Sequence, residues 1–358
     1  MLKGHLNSRA IFSLLPLFVA LFATLASGCS RRPVPYQRIE GNMLGTTALV
    51  VAQLPADSTS KIYQKLTYID SLMKGQMSIY DSTSLLSKIN RAESDSLTLE
   101  MVENITIAGH VNRLSEGVYD ITVLPLVKAW GFAGHDPDKS PNIDSLLEFV
   151  GYDKISIEGG RLRRTDPRVQ LDFNSIAKGY TVDMVARSLE AMGAENYLVD
   201  IGGELVCRGV NPRSTGWTIG VESPFDGNMT NGEYLQKRIV MEPQRGLSAM
   251  ATSGNYRRFY LNDKGEKIAH TIDPRTGLSS PSKLLSATVI ASSCALADAY
   301  ATMFLALGSE RAEAVAERIA EAEGIEVYFI YGDGEDEADS YREYFSEGVK
   351  AMIKLIND

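Results

Sequence analysis

His270 stands at the lip of a turn-forming run in AHTIDPRTGLSS, residues 269–280. Asp273 before Pro274, with Gly277 closing the run, is turn chemistry, so the imidazole would be held by a rigid connection. Histidine is well suited to moving a proton near neutral pH, and the chain has only four. His270 therefore reads as an acid/base group, as a ligand, or as a histidine hydrogen-bonded into its turn. A second candidate lies in SSCALADAYATMF, where Asp298 and Thr302 are i and i+4 and share one helix face. Their neighbours are small or apolar, and a carboxylate there must be paired, hydrogen-bonded or on a metal. Asp298 with the Thr302 hydroxyl makes a compact oxygen pair suited to Mg²⁺; the alternative is a buried Asp–Thr hydrogen bond. A third lies in LDFNSIAKGYTVD, where Asp172 precedes a helix that Asn174 and Ser175 can cap and Lys178 sits in the first turn. Helix N-termini favour anions, so a lysine there makes sense if it meets a phosphate or carboxylate. Otherwise it is an exposed lysine beside a capping aspartate.

Three further stretches carry weaker signals. EGVYDITVLPLVKAWGF places Tyr119, Asp120 and Thr122 beside an apolar run whose Trp130 and Phe132 read as core more readily than as cofactor contacts. In AMATSGNYRRFY, Thr252, Ser253 and Gly254 suggest a small polar loop, either an ordinary turn or one whose backbone approaches a ligand. In VDIGGEL, Gly202-Gly203 permits close approach, a bulge or plain packing. The sequence contains no phosphate loop ending in Lys-Ser/Thr, no GxGxxG, no HExxH and no GxSxG. Apart from His5, the histidines are His110, His135 and His270, and a three-histidine metal site would need all of them. That favours a carboxylate-based site for a hard cation.

Elements of both kinds must position these groups. Residues 43–54 have strand composition, and apolar spacing predicts helices over 60–75, 81–92 and 97–117. Residues 154–165 read as a hairpin about Gly159-Gly160, and 176–193 as a strong amphipathic helix ended by Gly193. Short strands follow in NYLVDIGGELVCRGV, WTIGVES, QKRIVMEP and RRFYLND. Helices are expected over 297–308 and 309–324, then a strand over 326–332 and an acidic surface excursion in DGEDEADSYREY. There is no internal repeat, and helices and strands mix without a βαβ rhythm, which predicts an α+β fold.

The 44% hydrophobic content supports a substantial core, and 23% charged residues argue against global disorder. A net charge of −9 disfavours nucleic acid as main partner, since phosphate backbones need a basic field. Lys3, His5 and Arg9 precede an apolar run from Ala10 to Ala26 that ends in small residues before Cys29. Ala26-Ser27-Gly28-Cys29 resembles a lipobox, with alanine where leucine is usual. The expectation is a lipoprotein signal over 1–28, a Pro-stiffened tether over 29–40, and one folded domain over 41–358. An uncleaved anchor helix is the alternative. Cys207 and Cys294 make no disulfide framework and read as buried small residues.

Taken in order, MLGTT, SIYDSTSLLSKIN, YDITVLPLVKAWGF, LDFNSIAKGYTVD, YLVDIGGEL, WTIGVESP, SAMATSGNYRRF, AHTIDPRTG and ADAYATMFLALG resemble the ApbE family of flavin transferases across nearly all of the mature chain. The resemblance implies a single T-fold-like α+β domain that binds FAD and Mg²⁺. Carried over position by position, it puts the metal on Asp298, Thr302 and the backbone carbonyl of Ser175. It puts the flavin on Leu44, where many members have methionine, and on Tyr80, Tyr119, Asp120, Asp172, Lys178 and Ile272. His270 falls on the histidine implicated in transfer. The implied reaction is Mg²⁺-dependent transfer of FMN from FAD to a Thr or Ser hydroxyl of a partner protein, releasing AMP. Implied partners are membrane redox-pump subunits or exported flavoproteins. The implied location is the bacterial cell envelope, on the periplasmic face of the inner membrane through a lipid on Cys29. Use of water instead, as an FAD pyrophosphatase, is the nearest rival. A flavin carrier without chemistry is another, and the older thiamine-pathway label has no physical support.

Overall fold

The computed structural model describes residues 34–137, 141–225, 234–241, 248–255, 259–262, 265, 267–279, 282–332 and 341–354. Along the chain the strands are β1 (Tyr36–Met43), β2 (Thr46–Gln53), β3 (Ile155–Glu158), β4 (Arg161–Arg164), β5 (Tyr197–Ile201), β6 (Glu204–Arg208), β7 (Trp217–Glu222), β8 (Leu235–Met241), β9 (Ala249–Gly254), β10 (Phe259–Leu261), β11 (Lys267–Ala269), β12 (Leu284–Ala291), β13 (Glu326–Gly332), β14 (Tyr341–Phe345) and β15 (Ile353–Lys354). The helices are α1 (Thr59–Met77), α2 (Leu85–Asn90), α3 (Leu99–Leu114), α4 (Leu124–Ala129), α5 (Ile143–Leu147), α6 (Ala177–Ala191), α7 (Cys294–Glu323) and α8 (Glu347–Lys350).

Eight strands form one sheet in the order β1-β2-β5-β6-β9-β12-β13-β14, each neighbouring pair antiparallel. Successive side chains of a strand point to opposite faces, and this sheet buries both. Val50, Ala52, Val206, Ala251, Val289 and Phe329 belong to the larger core with Ile62 and Met73 of α1, Val185 of α6 and Met303 of α7. Their neighbours Val51, Leu205, Cys207, Met250, Ile290 and Tyr328 turn the other way. They pack with Trp217, Ile219, Ile239 and Met241 of a three-stranded sheet, β15-β8-β7. The architecture is α+β, as expected, and Cys207 and Cys294 are buried, as expected.

Several expectations need correction. The leader expected over 1–28 and the first residues of the expected tether, 29–33, lie outside the described residues, but a tether reaching residue 40 is too long. Tyr36–Met43 is a strand, paired with β2 from Tyr36↔Gln53 to Met43↔Thr46. Its polar residues suit a sheet edge, and such composition also reads as linker. Thr252–Gly254 is the end of strand β9 and not a loop, because Thr252, Ser253 and Gly254 pair with Thr288, Ala287 and Ser286 of β12. Of the acidic excursion, residues 333–340 lie outside the described set, while Tyr341–Phe345 closes the sheet as β14. Strand β12 is not among the expected elements. All eight of its residues are buried, and a strand covered on both faces shows no polar alternation.

The two helices expected over 297–308 and 309–324 are present as two segments of α7, and the Tyr300 hydroxyl of the first donates to the Glu323 carboxylate of the second at 2.7 Å. They meet at Gly308, whose φ of 71° and ψ of −178° break the run. That conformation is essentially reserved for glycine. The freed Ser309 N–H donates to the Ser282 hydroxyl at 2.8 Å. Gly308→Ala should lower the unfolding free energy by about 1–3 kcal/mol, measured by denaturant titration; an unchanged midpoint would show that the break can be absorbed.

Candidate active site

Antiparallel register brings the β1–β2 turn, the β5–β6 turn and the end of β9 to one end of the central sheet. The N-terminal turns of α6 and α7 meet there and help line a cavity of about 750 Å³, within the roughly 300–1,000 Å³ usual for ligand clefts. Every residue singled out by the resemblance lines it: Leu44, Tyr80, Tyr119, Asp120, Asp172, Ser175, Lys178, His270, Ile272, Asp298 and Thr302.

Two carboxylates lock α6 to α7. The N-cap of α6 is Ile176, which has no capping side chain, so its first N–H groups need partners from elsewhere. Asn174 and Ser175, expected as caps, are engaged otherwise. The Asn174 N–H donates to Asp172 Oδ1 at 2.8 Å, and the Ser175 hydroxyl donates to the Tyr119 hydroxyl at 3.0 Å. The cap comes from α7: Asp298 Oδ2 accepts the Gly179 N–H at 3.0 Å. Reciprocally, Asp183 of α6 accepts the N–H groups of Cys294 at 2.9 Å and Ala295 at 3.0 Å, in the first turn of α7. The helices touch at Gly179, where a Cβ would lie 2.2 Å from the Cys294 carbonyl oxygen.

Asp298 is 3% exposed, and burial pushes its carboxyl above the usual range, with Lys178 and the Gly179 N–H offsetting part of that. It does not bond to Thr302, whose hydroxyl lies 3.2 Å from that of Ser253. With one hydrogen bond in so buried a place, this carboxylate is short of partners, which fits a cation. Asp298, the Thr302 hydroxyl and the Ser175 carbonyl are hard oxygen donors of the kind Mg²⁺ prefers. Among the described residues no three His, Cys, Asp or Glu side chains converge. Any cation held here would rest on this mixed set.

Lys178 makes an ion pair with Glu204, the first residue of β6. Burial would depress the ammonium, but Glu204 and Asp298 together more than offset that, so it stays charged. Burial pushes Glu204 up to about 7 despite its lysine partner. Glu204, just after Gly202-Gly203, is not among the residues expected from the sequence. An acid opening an otherwise apolar strand was the available signal.

The remaining wall is built from constrained pieces. Leu44 takes the left-handed φ of 51° in the two-residue β1–β2 turn, as hairpins of this length require. Its N–H donates to Asp70 Oδ1 at 2.7 Å. Tyr80 is 61% exposed, presenting its ring at the cavity. Asp120 accepts the N–H and hydroxyl of Thr122 at 2.8 and 2.7 Å. Tyr119 and Ile272 are buried beneath.

His270 follows β11, and its ring meets Phe132 edge-on at 6.3 Å between centroids. Its connection is as rigid as the sequence implies. The Arg275 guanidinium grips Asp273 at 2.7 and 3.0 Å, the Gly277 N–H donates to the Asp273 carbonyl at 2.8 Å, and the Trp130 indole N–H donates to the Gly277 carbonyl at 2.7 Å. Trp130 is therefore structural, as expected, whereas Phe132 lines the cavity.

Gly179→Ala tests the helix contact. A Cβ must push the helices apart, costing about 1–3 kcal/mol, and Asp298 should lose its N–H donor. Thermal unfolding checks the first effect, and faster hydrogen exchange of the residue 179 amide checks the second. Wild-type values for both would show that the two helices do not meet closely at this position.

The ApbE family model matches residues 44–329. A Vibrio cholerae protein named FAD:protein FMN transferase is 35% identical over 340 residues, covering 92% of this chain and 96% of its own. A Haemophilus influenzae protein of the same name is 32% identical, covering 84% and 89%. The solved flavin transferase ApbE from Vibrio cholerae superposes with a TM-score of 0.75 at 31% identity, over 89% of this chain and 100% of that one. The apo Pseudomonas stutzeri flavinyl transferase ApbE gives 0.75 at 28%, over 89% and 96%. Sequence order, fold and match length agree, and the chain belongs to the ApbE family.

Proposed function

We propose that this protein is an FAD:protein FMN transferase, moving FMN from FAD to a threonine or serine hydroxyl of a target protein and releasing AMP. The observation that carries the reading is the meeting of His270, Lys178 and the oxygen donors of Asp298, Thr302 and Ser175 on one cavity. The names of the relatives support it. Leu44, Tyr80, Tyr119, Asp120, Asp172 and Ile272, which line the cavity, would hold FAD, and Lys178 would meet its diphosphate. The acceptor oxygen attacks the phosphorus on the FMN side, the bond from that phosphorus to the AMP-side bridging oxygen breaks, and the hydroxyl proton passes to His270. Mg²⁺, when bound at Asp298, Thr302 and Ser175, offsets charge on the diphosphate. The Phe132 ring and the clamped turn hold His270 in place for this step.

Incubation with FAD, Mg²⁺ and an acceptor peptide decides between activities. A fluorescent flavin adduct on a denaturing gel marks transfer. Free FMN and AMP without it mark a pyrophosphatase, and unchanged FAD a carrier; either would overturn the reading. Asp298→Ala, or chelation of the metal, should abolish turnover while the fold persists by circular dichroism.

His270→Ala should separate binding from chemistry. FAD affinity should shift by less than about 1 kcal/mol, as for one neutral hydrogen bond. Transfer should fall on the order of 10²–10⁴-fold, the range for losing a general base. Equal losses in both would make His270 a binding residue.

The lipoprotein reading of the N-terminus makes Cys29 the anchor on the periplasmic face of the inner membrane. Cys29→Ser should leave the protein in the soluble fraction after cell lysis; continued sedimentation with membranes would point to an uncleaved helix over residues 10–26.

A further inference from the structure

Glu204 is badly placed for stability alone. Its side chain is 4% exposed, and the residues after it, Leu205, Val206 and Cys207, are buried and apolar. One carboxylate oxygen pairs with the Lys178 ammonium; the other, Oε2, is buried without a hydrogen-bond partner. A buried ionised group with an unpaired oxygen destabilises a fold, and replacing such a group is often neutral or stabilising. Its partner is equally unfavourable: a lysine in the first turn of α6 opposes the helix dipole. Two violations that meet at one contact, on the wall of the cavity, mark a functional arrangement.

Charge gives the arrangement its purpose. Asp120, Asp172, Glu204 and Asp298 all line the cavity and are at most 8% exposed. Among the described residues that line it, Lys178 is the only lysine or arginine. Beside any cation held at Asp298, this ammonium is the one fixed positive side chain that the described lining offers an anionic ligand, and where it points matters. Its side chain is 35% exposed, so the far end of a four-carbon stem would be mobile without a fixed partner.

We propose that Glu204 is a positioning residue that aims the Lys178 ammonium at the diphosphate of the bound dinucleotide, at the cost of repelling that same anion. This rests on the transferase reading of the site. The repulsion gives the role a signature that a structural residue lacks. Glu204→Gln keeps the shape and one hydrogen-bond acceptor but removes the charge. FAD should then bind more tightly, by roughly 3- to 10-fold, because a like charge is gone. Turnover should fall on the order of 10²-fold, because the ammonium is misplaced. The thermal midpoint should stay level or rise.

The test is a double-mutant cycle with Lys178→Met, reading FAD affinity by flavin fluorescence, kcat and KM for FMN transfer, and Tm. In the Lys178→Met background, Glu204→Gln should lower kcat no further. Glu204→Asp, which retains the charge, should recover much of the rate. Three results would overturn the proposal: wild-type kcat and KM in Glu204→Gln, joint loss of affinity, rate and Tm, or additive losses in the double variant. Failure of the transferase reading is told apart by the wild type. If wild-type protein forms no flavin adduct, that reading falls. The affinity and Tm arms, which need no turnover, still decide whether Glu204 opposes the dinucleotide and acts through Lys178.

Discussion

The site depends on a mutual cap. An α-helix begins with N–H groups that have no partner within the helix, and here two helices answer that need for each other. Asp298 of α7 takes an N–H at the head of α6, and Asp183 of α6 takes two at the head of α7. Each carboxylate sits where the partial positive charge of a helix N-terminus favours it, so each is tolerated at a burial that would otherwise be costly. The lock also fixes register. The Ser175 carbonyl and Lys178 come from one helix head, Asp298 and Thr302 from the other, and their spacing is set by how closely Gly179 lets the two approach.

The central sheet makes that lock possible by holding the helices from below. Its strands come from both ends of the chain, with β1 and β2 from the start, β12 to β14 from the end, and the join at β6 and β9. Because both faces are covered, the sheet cannot slide by one residue without moving an entire set of apolar side chains to the wrong core. Rigidity at the platform fixes the β1–β2 turn with Leu44, the head of β6 with Glu204 and the end of β9 with Ser253. These are precise anchors for flexible substrates.

What could be read from the sequence was whatever one local pattern encodes. Asp298 and Thr302 declare themselves by helical spacing in apolar company. His270 is marked by its turn, and the break at Gly308 by adjoining helical patterns. The order of motifs then gathered distant residues such as Leu44 and Ile272 into one family site. What escaped depends on contacts between segments far apart in the chain. Asp183 looks like any helical aspartate until Cys294 and Ala295 arrive above it. Thr252–Gly254 resembles a polar turn until β12 pairs with it, and β12 is hidden by its own complete burial. Glu204 has meaning only beside Lys178, 26 residues away.

The glycine break in α7 has a consequence for motion. Helices unwind from their ends, and each lost hydrogen bond eases the loss of the next. The outer segment of α7, beyond Gly308, carries most of its exposed surface, while the inner segment carries Asp298 and Thr302 within the core. With the ladder interrupted and Ser309 tied to Ser282, backbone fraying that begins at Glu323 stops at the break. Side chains join the two segments instead: the Tyr300 hydroxyl donates to the Glu323 carboxylate at 2.7 Å, so the outer segment acts as a brace laid against the inner one, whose residues face the cavity.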